Sequence, residues 1–61
     1  DNMKTNRYEI TVFDSESNSR FIVSMFATCM THAAVKAKSE IVRKGIAKSE
    51  NLCIRNIYSC S

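Results

Sequence analysis

The sequence RYEITVF, at residues 7–13, decides the fold of this chain. Its apolar residues Tyr8, Ile10 and Val12 alternate with polar residues, which is the period of a strand with one buried face. The six residues that follow at 14–19, DSESNS, are small and polar, as in the loop of a hairpin. We therefore predict that the next strand pairs antiparallel with the first.

The second predicted strand covers residues 20–26, RFIVSMF, and it has apolar residues on both faces. Its odd-numbered positions form one apolar face, while Ile22 and Phe26 lie on the other face beside Ser24. These two side chains either cover an edge of the sheet and pack under a loop, or they belong to a contact patch for a partner. The sequence leaves both interpretations open.

A helix is predicted from residue 29 to residue 44. Thr28 is the expected N-cap, because its hydroxyl can accept a hydrogen bond from an unpaired N–H group of the first turn. Gly45, the one glycine of the chain, stands where a left-handed residue would end the helix. The core stripe expected for this helix consists of Met30, Ala33, Ala34, Ala37 and Ile41.

The opposite side of this helix is predicted to be basic. Glu40 is placed to pair with both Lys36 and Lys44, which lie four residues before and after it. The chain has a net charge of +3, and the excess of cations lies in its second half. The side chains that would track phosphates are His32, Lys36, Lys38, Arg43, Lys44 and Lys48.

A third strand is predicted from residue 52 onward. Leu52, Ile54 and Tyr58 alternate with other residues, but Asn56 interrupts the apolar series, so we expect a bulge or a frayed end near it. The sequence thus predicts an α+β domain in which one helix packs on one face of a three-stranded antiparallel sheet, in the order ββαβ.

The 61 residues fit a single domain, which we predict over residues 3–61. Met3 resembles a natural start, so Asp1 and Asn2 are interpreted as the remnant of an expression tag. No apolar run approaches the roughly 18 residues that span a bilayer. The three cysteines also lack the paired spacing of secreted frameworks. These features predict a soluble protein of the cytoplasm that does not act at a membrane.

Cysteine and histidine are too sparse to indicate a reactive centre. Cys29 and His32 lie three residues apart, and Cys53 and Cys60 would have to complete a zinc site without the usual second ligand pair. Cys29 also combines a helix N-terminus with a nearby histidine, as activated nucleophiles do, but so small a domain has little room for a substrate cleft. We expect no metal, no cofactor and no enzymatic activity.

Several short motifs occur in a fixed order along the chain. They are Tyr8-Glu9-Ile10-Thr11-Val12, Phe21-x-Val23-x-Met25-Phe26-Ala27, the helix alanines Ala33 and Ala37, Leu52-x-Ile54 and the near-terminal Cys60. Their order and spacing resemble the small phage-encoded proteins of strand-strand-helix-strand form that bind and inhibit host machinery, such as the T7-type inhibitors of bacterial RNA polymerase. Some anti-CRISPR proteins are similar in skeleton.

This chain differs from the polymerase inhibitors in two ways. Their third strand carries functional arginines, where this chain has Asn56 and Tyr58 with Arg55 beside them, and their acidic helix is replaced by a basic one. The resemblance implies a stoichiometric inhibitor that blocks a bacterial host protein, either RNA polymerase or a defence complex, in the host cytoplasm. The expected contact residues are Arg55, Asn56 and Tyr58, with Lys36 and Arg43 as electrostatic contacts.

Two further questions stay open in the sequence. A free sheet edge would let the chain pair with a second copy, so both a monomer and a homodimer are compatible with it. The alternative function is that of a small nucleic-acid-binding protein that uses the basic side of the helix. The aromatic residues that would stack on bases, Phe13, Phe26 and Tyr58, are scattered along the sequence.

Overall fold

A computed structural model describes residues 4–60; Met3 and the two residues interpreted as a tag remnant lie outside this range, as does Ser61. The elements are β1 (Asn6–Asp14), β2 (Ser19–Ala27), α1 (Met30–Arg43), a 3-10 turn (Ser49–Asn51) and β3 (Leu52–Ser59). The strands form one antiparallel sheet in the order β2-β1-β3, and α1 packs on one of its faces. The predicted ββαβ architecture is confirmed. Within residues 4–60, no helix has the length and apolar character needed to cross a membrane.

β1 is the central strand, and Ile10 lies opposite both Val23 of β2 and Ile57 of β3. Successive side chains of a strand point to opposite faces, so the even-numbered residues of β1 meet α1 and the odd-numbered residues face away. We call the side under the helix the inner face and the other side the open face. The open face is formed by Arg7, Glu9, Thr11, Phe13, Arg20, Ile22, Ser24, Phe26, Cys53, Arg55, Asn56 and Tyr58.

The core lies between the inner face and α1. Its buried members are Tyr8, Ile10, Val12, Ala27, Ala33, Ala37, Ile41 and Leu52. Ala33 and Ala37 have no exposed surface, because the short alanine side chains let the helix backbone approach the sheet. Met30 was predicted in this stripe but is 50% exposed, since it opens the helix just after the chain has left β2. Ala34 is only half-buried at the side of the contact.

The two ends of α1 differ in how well the sequence predicts them. The N-cap is Cys29 and not Thr28, because the Cys29 carbonyl accepts the first helical hydrogen bond, from the Ala33 N–H at 3.0 Å. At the other end Gly45 has a φ of +74° and its N–H donates to Val42 O at 2.9 Å. The Ile46 N–H donates to Ile41 O at 3.2 Å, which completes a Schellman motif and confirms the predicted end of the helix.

Asp14 organises the loop between β1 and β2. Asp14 is only 4% exposed. One of its carboxylate oxygens accepts a hydrogen bond from the Glu16 N–H at 3.0 Å, and the other accepts one from the Ser17 hydroxyl at 2.8 Å. Asp14 and Ser19 themselves pair in the ladder, so the loop is shorter than the predicted stretch 14–19. The loop is also fixed to the 3-10 turn, because the Ser15 N–H donates to Asn51 O at 2.9 Å.

A β-bulge interrupts the pairing of β3 with β1. Thr11 lies opposite Asn56 and Val12 lies opposite Ile54, which leaves Arg55 as the extra residue on β3. The predicted irregularity near Asn56 is confirmed as this bulge. It also corrects the predicted alternation, because beyond the bulge Ile57 faces inward and Tyr58 faces outward.

Replacing Ala37 by leucine should destabilise the domain, because a larger side chain at a position without free surface pushes α1 away from the sheet. Overpacking of this kind costs about 1–3 kcal/mol. Thermal unfolding followed by circular dichroism should show a loss of about 4–8 °C per kcal/mol. The matched control is Val35→Leu on the exposed side of α1, for which we expect a change within about 0.5 kcal/mol. Equal losses in the two variants would contradict the packing role of Ala37.

Replacing Asp14 by alanine should remove both side-chain acceptors of the hairpin loop and lower the free energy of unfolding by about 1–2 kcal/mol. Asp14→Asn keeps one acceptor oxygen and should lose less. Urea unfolding of the two variants beside the unmodified chain measures the difference. Unchanged stability in Asp14→Ala would show that the loop does not depend on these bonds.

Candidate functional site

The open face carries large apolar side chains that no element of the described chain covers. Ile22 is 69% exposed, Phe26 60% and Tyr58 56%. The three aromatic residues that are scattered in the sequence share this face, because Phe13, Phe26 and Tyr58 all occupy outward positions of their strands. Sequence reasoning missed this grouping, since it depends on the register of the strands and on the bulge.

The charge of the open face is also uneven. Among the described residues, Arg7, Arg20 and Arg55 lie on this face against one carboxylate, that of Glu9. Arg20 and Arg55 border a shallow depression at the centre of the face, whose floor includes Thr11. An apolar surface flanked by guanidinium groups fits an acidic surface better than a basic one.

Arg55, Asn56 and Tyr58 form a cluster that we call the β3 patch. The Arg55 guanidinium carbon stands 4.7 Å from the centre of the Phe13 ring, a cation–π distance. The Asn56 amide donates to the Tyr58 hydroxyl at 3.3 Å. The bulge brings this about, because it turns both Arg55 and Asn56 to the open side in place of one residue. The three side chains that sequence reasoning named on β3 therefore lie together, and each has a defined neighbour on the open face.

Lys36 and Arg43, the other two predicted contact residues, lie on α1, on the opposite side of the sheet. The Lys36 ammonium group donates to the Phe26 carbonyl at 3.0 Å, so the predicted pair of Lys36 with Glu40 is wrong. Arg43 binds the Glu40 carboxylate at 2.6 Å and Lys44 approaches it at 3.6 Å. The hydrogen bond from Arg43 holds the pKa of Glu40 below its usual value, and the charge of Lys44 adds to this effect.

The outward side of α1 is less uniformly basic than its sequence indicated. Val35 and Val42 are exposed there and line a shallow groove together with Lys38 and Arg43. His32 lies near the start of the helix, and Lys48 lies beyond its end, before the 3-10 turn. Of the six basic residues considered for phosphate contact, Lys38 and Arg43 lie beside these apolar side chains. Lys36, Arg43 and Lys44 already have partners within the protein.

The three cysteines are exposed and unpaired: Cys29 caps the helix, Cys53 lies on the open face and Cys60 follows β3. Within residues 4–60, no three side chains of histidine, cysteine, aspartate or glutamate come close enough together to hold a metal ion. Cys29, His32, Cys53 and Cys60, the ligands considered for zinc, are therefore not brought into one site.

Comparison of the chain with models of protein families, with curated proteins and with solved structures found no match. The candidate surfaces for function are the open face, the β3 patch and the outward side of α1.

All three thiols should react with Ellman's reagent in the native protein at rates close to those of the unfolded chain, because each is exposed. The matched control is His32→Ala, which should leave the rate at Cys29 unchanged. A fast reaction of Cys29 that is lost in His32→Ala would instead indicate an activated nucleophile at the start of the helix.

Proposed function

We propose that this chain is a small phage-type inhibitor that binds a bacterial host protein, with the β3 patch as its anchor. The open face would cover a functional surface of that protein and block it sterically, in the host cytoplasm. The targets that the resemblance implies are RNA polymerase and a defence complex. The observation that carries this proposal is the β3 patch, an exposed tyrosine and arginine held in place by their neighbours.

The composition of the β3 patch supports protein binding. Tyrosine and arginine are enriched among the few residues that contribute most of the energy of interfaces. Side chains that are ordered before binding lose less conformational freedom when the complex forms. Arg55 over Phe13 and Tyr58 beside Asn56 each have an intramolecular contact that favours one conformation, although both are exposed to solvent.

The charge of the open face narrows the chemistry of the partner. Its described arginines, Arg7, Arg20 and Arg55, outnumber its glutamate and favour an acidic protein surface, and Ile22 adds apolar contact at the border of the central depression. Lys36 and Arg43 lie on the other side of the sheet, so a partner seated on the open face would not touch them. We propose that they add to the positive field that steers encounter with an acidic partner.

Nucleic-acid binding through α1 is the second candidate, and the basic residues His32, Lys38 and Lys48 favour it. Against it, Lys36 is engaged with a backbone carbonyl and Arg43 with a carboxylate. The exposed Val35 and Val42 also share a groove with Lys38 and Arg43, and apolar side chains there would contribute nothing to phosphate binding. Binding of this kind would lose affinity steeply with salt. Binding through the β3 patch would associate more slowly at high salt but keep most of its affinity, because its tyrosine and apolar contacts do not depend on salt.

Tyr58→Ala and Arg55→Ala should each weaken binding to the partner by roughly tenfold or more. The partner is first captured from bacterial lysate on the immobilised chain, with and without nuclease, and identified by mass spectrometry. Affinity is then measured with the purified partner, and bacterial RNA polymerase is tested directly for stoichiometric inhibition of transcription. Arg43→Ala is the matched control, because it removes an exposed arginine that a partner on the open face would not touch. The loss of its long-range field alone should change affinity by no more than about twofold.

Two results would contradict the proposal. One is capture that disappears with nuclease and weakens in a charge-reversed Lys38→Glu/Lys48→Glu variant, which would establish the nucleic-acid function. The other is a nuclease-resistant partner whose affinity is the same for Tyr58→Ala, Arg55→Ala and the unmodified chain. Circular dichroism of each variant must show the native fold before affinities are compared.

A further inference from the structure

The two edges of the sheet differ in how they are protected. β3 carries a bulge and a charged residue, Arg55, at its middle, and both features discourage pairing with another strand. β2 is regular over its whole length, and its residues 21–27, FIVSMFA, contain no charge, no proline and no glycine. A regular edge strand with an uncharged segment of this length is a template for another strand.

Two hydrogen bonds define which backbone groups the β2 edge presents. Arg7 of β1 and Phe26 of β2 lie opposite each other, but their carbonyl groups point away from each other. The Arg7 carbonyl accepts the Cys60 N–H at 2.7 Å, on the β3 side, and the Phe26 carbonyl accepts a hydrogen bond from the Lys36 ammonium group. Along an antiparallel pair of strands, residue pairs whose backbone groups hydrogen bond to each other alternate with pairs whose backbone groups point away from each other. The even-numbered residues of β2 therefore direct their N–H and C=O groups to the free edge.

We propose that β2 pairs edge to edge with β2 of a second copy of this chain, antiparallel, with the two-fold axis at Ser24. An isologous contact requires a self-complementary surface, and this register supplies one. It places Ile22 opposite Phe26 of the second copy on the open face, twice by symmetry. On the inner side it places Val23 opposite Met25, both of which are only half-buried in a single copy.

The side chains select this register over its neighbours. The backbone groups at the free edge belong to even-numbered residues of β2. Every possible register therefore places even-numbered residues of one copy opposite even-numbered residues of the other. With the axis at Val23, Ile22 would face a serine and Phe26 would face an arginine. With the axis at Ser24, no charged side chain stands opposite another, and both exposed apolar residues of β2 are matched.

Lys36 does not prevent this contact. Its ammonium group uses one lone pair of the Phe26 carbonyl, and a carbonyl oxygen has two. The second lone pair remains for the Ile22 N–H of the other copy. The β3 patch lies on the opposite edge of the sheet, so the pairing leaves that patch accessible. Ile22, at the border of the central depression, is the side chain that the two contacts share.

Sedimentation equilibrium of the full chain should show a monomer–dimer equilibrium that depends on concentration. Ile22→Lys should raise the dimer dissociation constant at least tenfold, because it places a charge against Phe26 of the second copy. Ser24→Pro should do the same, because it removes an N–H group that points to the free edge and takes no part in pairing with β1. Circular dichroism tests whether each variant keeps the fold. Ile22→Lys acts through a side chain and Ser24→Pro through the backbone, so either variant tests the contact if the other fails to fold.

Cross-linking tests the register itself. In a background in which the three cysteines are replaced by serine, Ser24→Cys should form a disulfide-linked dimer on mild oxidation. The Cα atoms of two residues in a hydrogen-bonded antiparallel pair lie ~5.5 Å apart, which is within the Cα–Cα range of disulfides. Arg20→Cys, on the same strand and the same face, is the matched control and should not cross-link, because its symmetry mate is roughly 27 Å away along the strand.

Three results would overturn the proposal. The first is a chain that stays monomeric up to about 1 mM, a concentration at which even a contact worth only about 4 kcal/mol would be populated. The second is a dimer whose dissociation constant is the same in Ile22→Lys, Ser24→Pro and the unmodified chain. The third is a yield of cross-linked dimer from the Arg20→Cys variant that equals the yield from the Ser24→Cys variant.

Discussion

The packing of one alanine-rich helix against one face of a three-stranded sheet determines the rest of this molecule. Ala33 and Ala37 let α1 lie close over β1, where Ile10 and Val12 are fully buried. The described part of the chain, residues 4–60, has no second α-helix to place on the other side. The open face is therefore a direct consequence of how the core is built, and its exposed apolar residues are not covered by anything within that range.

The bulge at Arg55 is the local feature with the widest effects. Without an extra residue on β3, Ile57 and Tyr58 would exchange faces, because side chains alternate along a strand. With it, Ile57 reaches the inner face, and Arg55, Asn56 and Tyr58 all reach the open one. The same irregularity interrupts the backbone pattern of the β3 edge. One insertion thus creates the β3 patch and leaves β2 as the regular edge.

Local patterns in the sequence predicted the strands, the helix and the end of the helix at Gly45, because alternation, periodicity and a left-handed glycine are properties of neighbouring residues. The interruption of the apolar series at Asn56 predicted either a bulge or a frayed end there, and the structure has the bulge. What could not be predicted depends on residues distant in sequence. Lys36 bonds a carbonyl of β2 and not Glu40, and Phe13 supports Arg55 only because the register of β3 brings them together. The separation of the helix cations from the β3 patch has the same origin.

The two proposed contacts use opposite edges of one sheet, and this arrangement has a consequence for affinity. Pairing through β2 would join two sheets into one, with a β3 patch at each outer edge and a continuous open face between them. A symmetric or repeated target could then be engaged by both patches, and the second contact would form at the high effective concentration of a linked site. A target with a single acidic surface would be engaged by one patch only. The edge pairing would therefore strengthen binding to assembled targets more than binding to isolated ones.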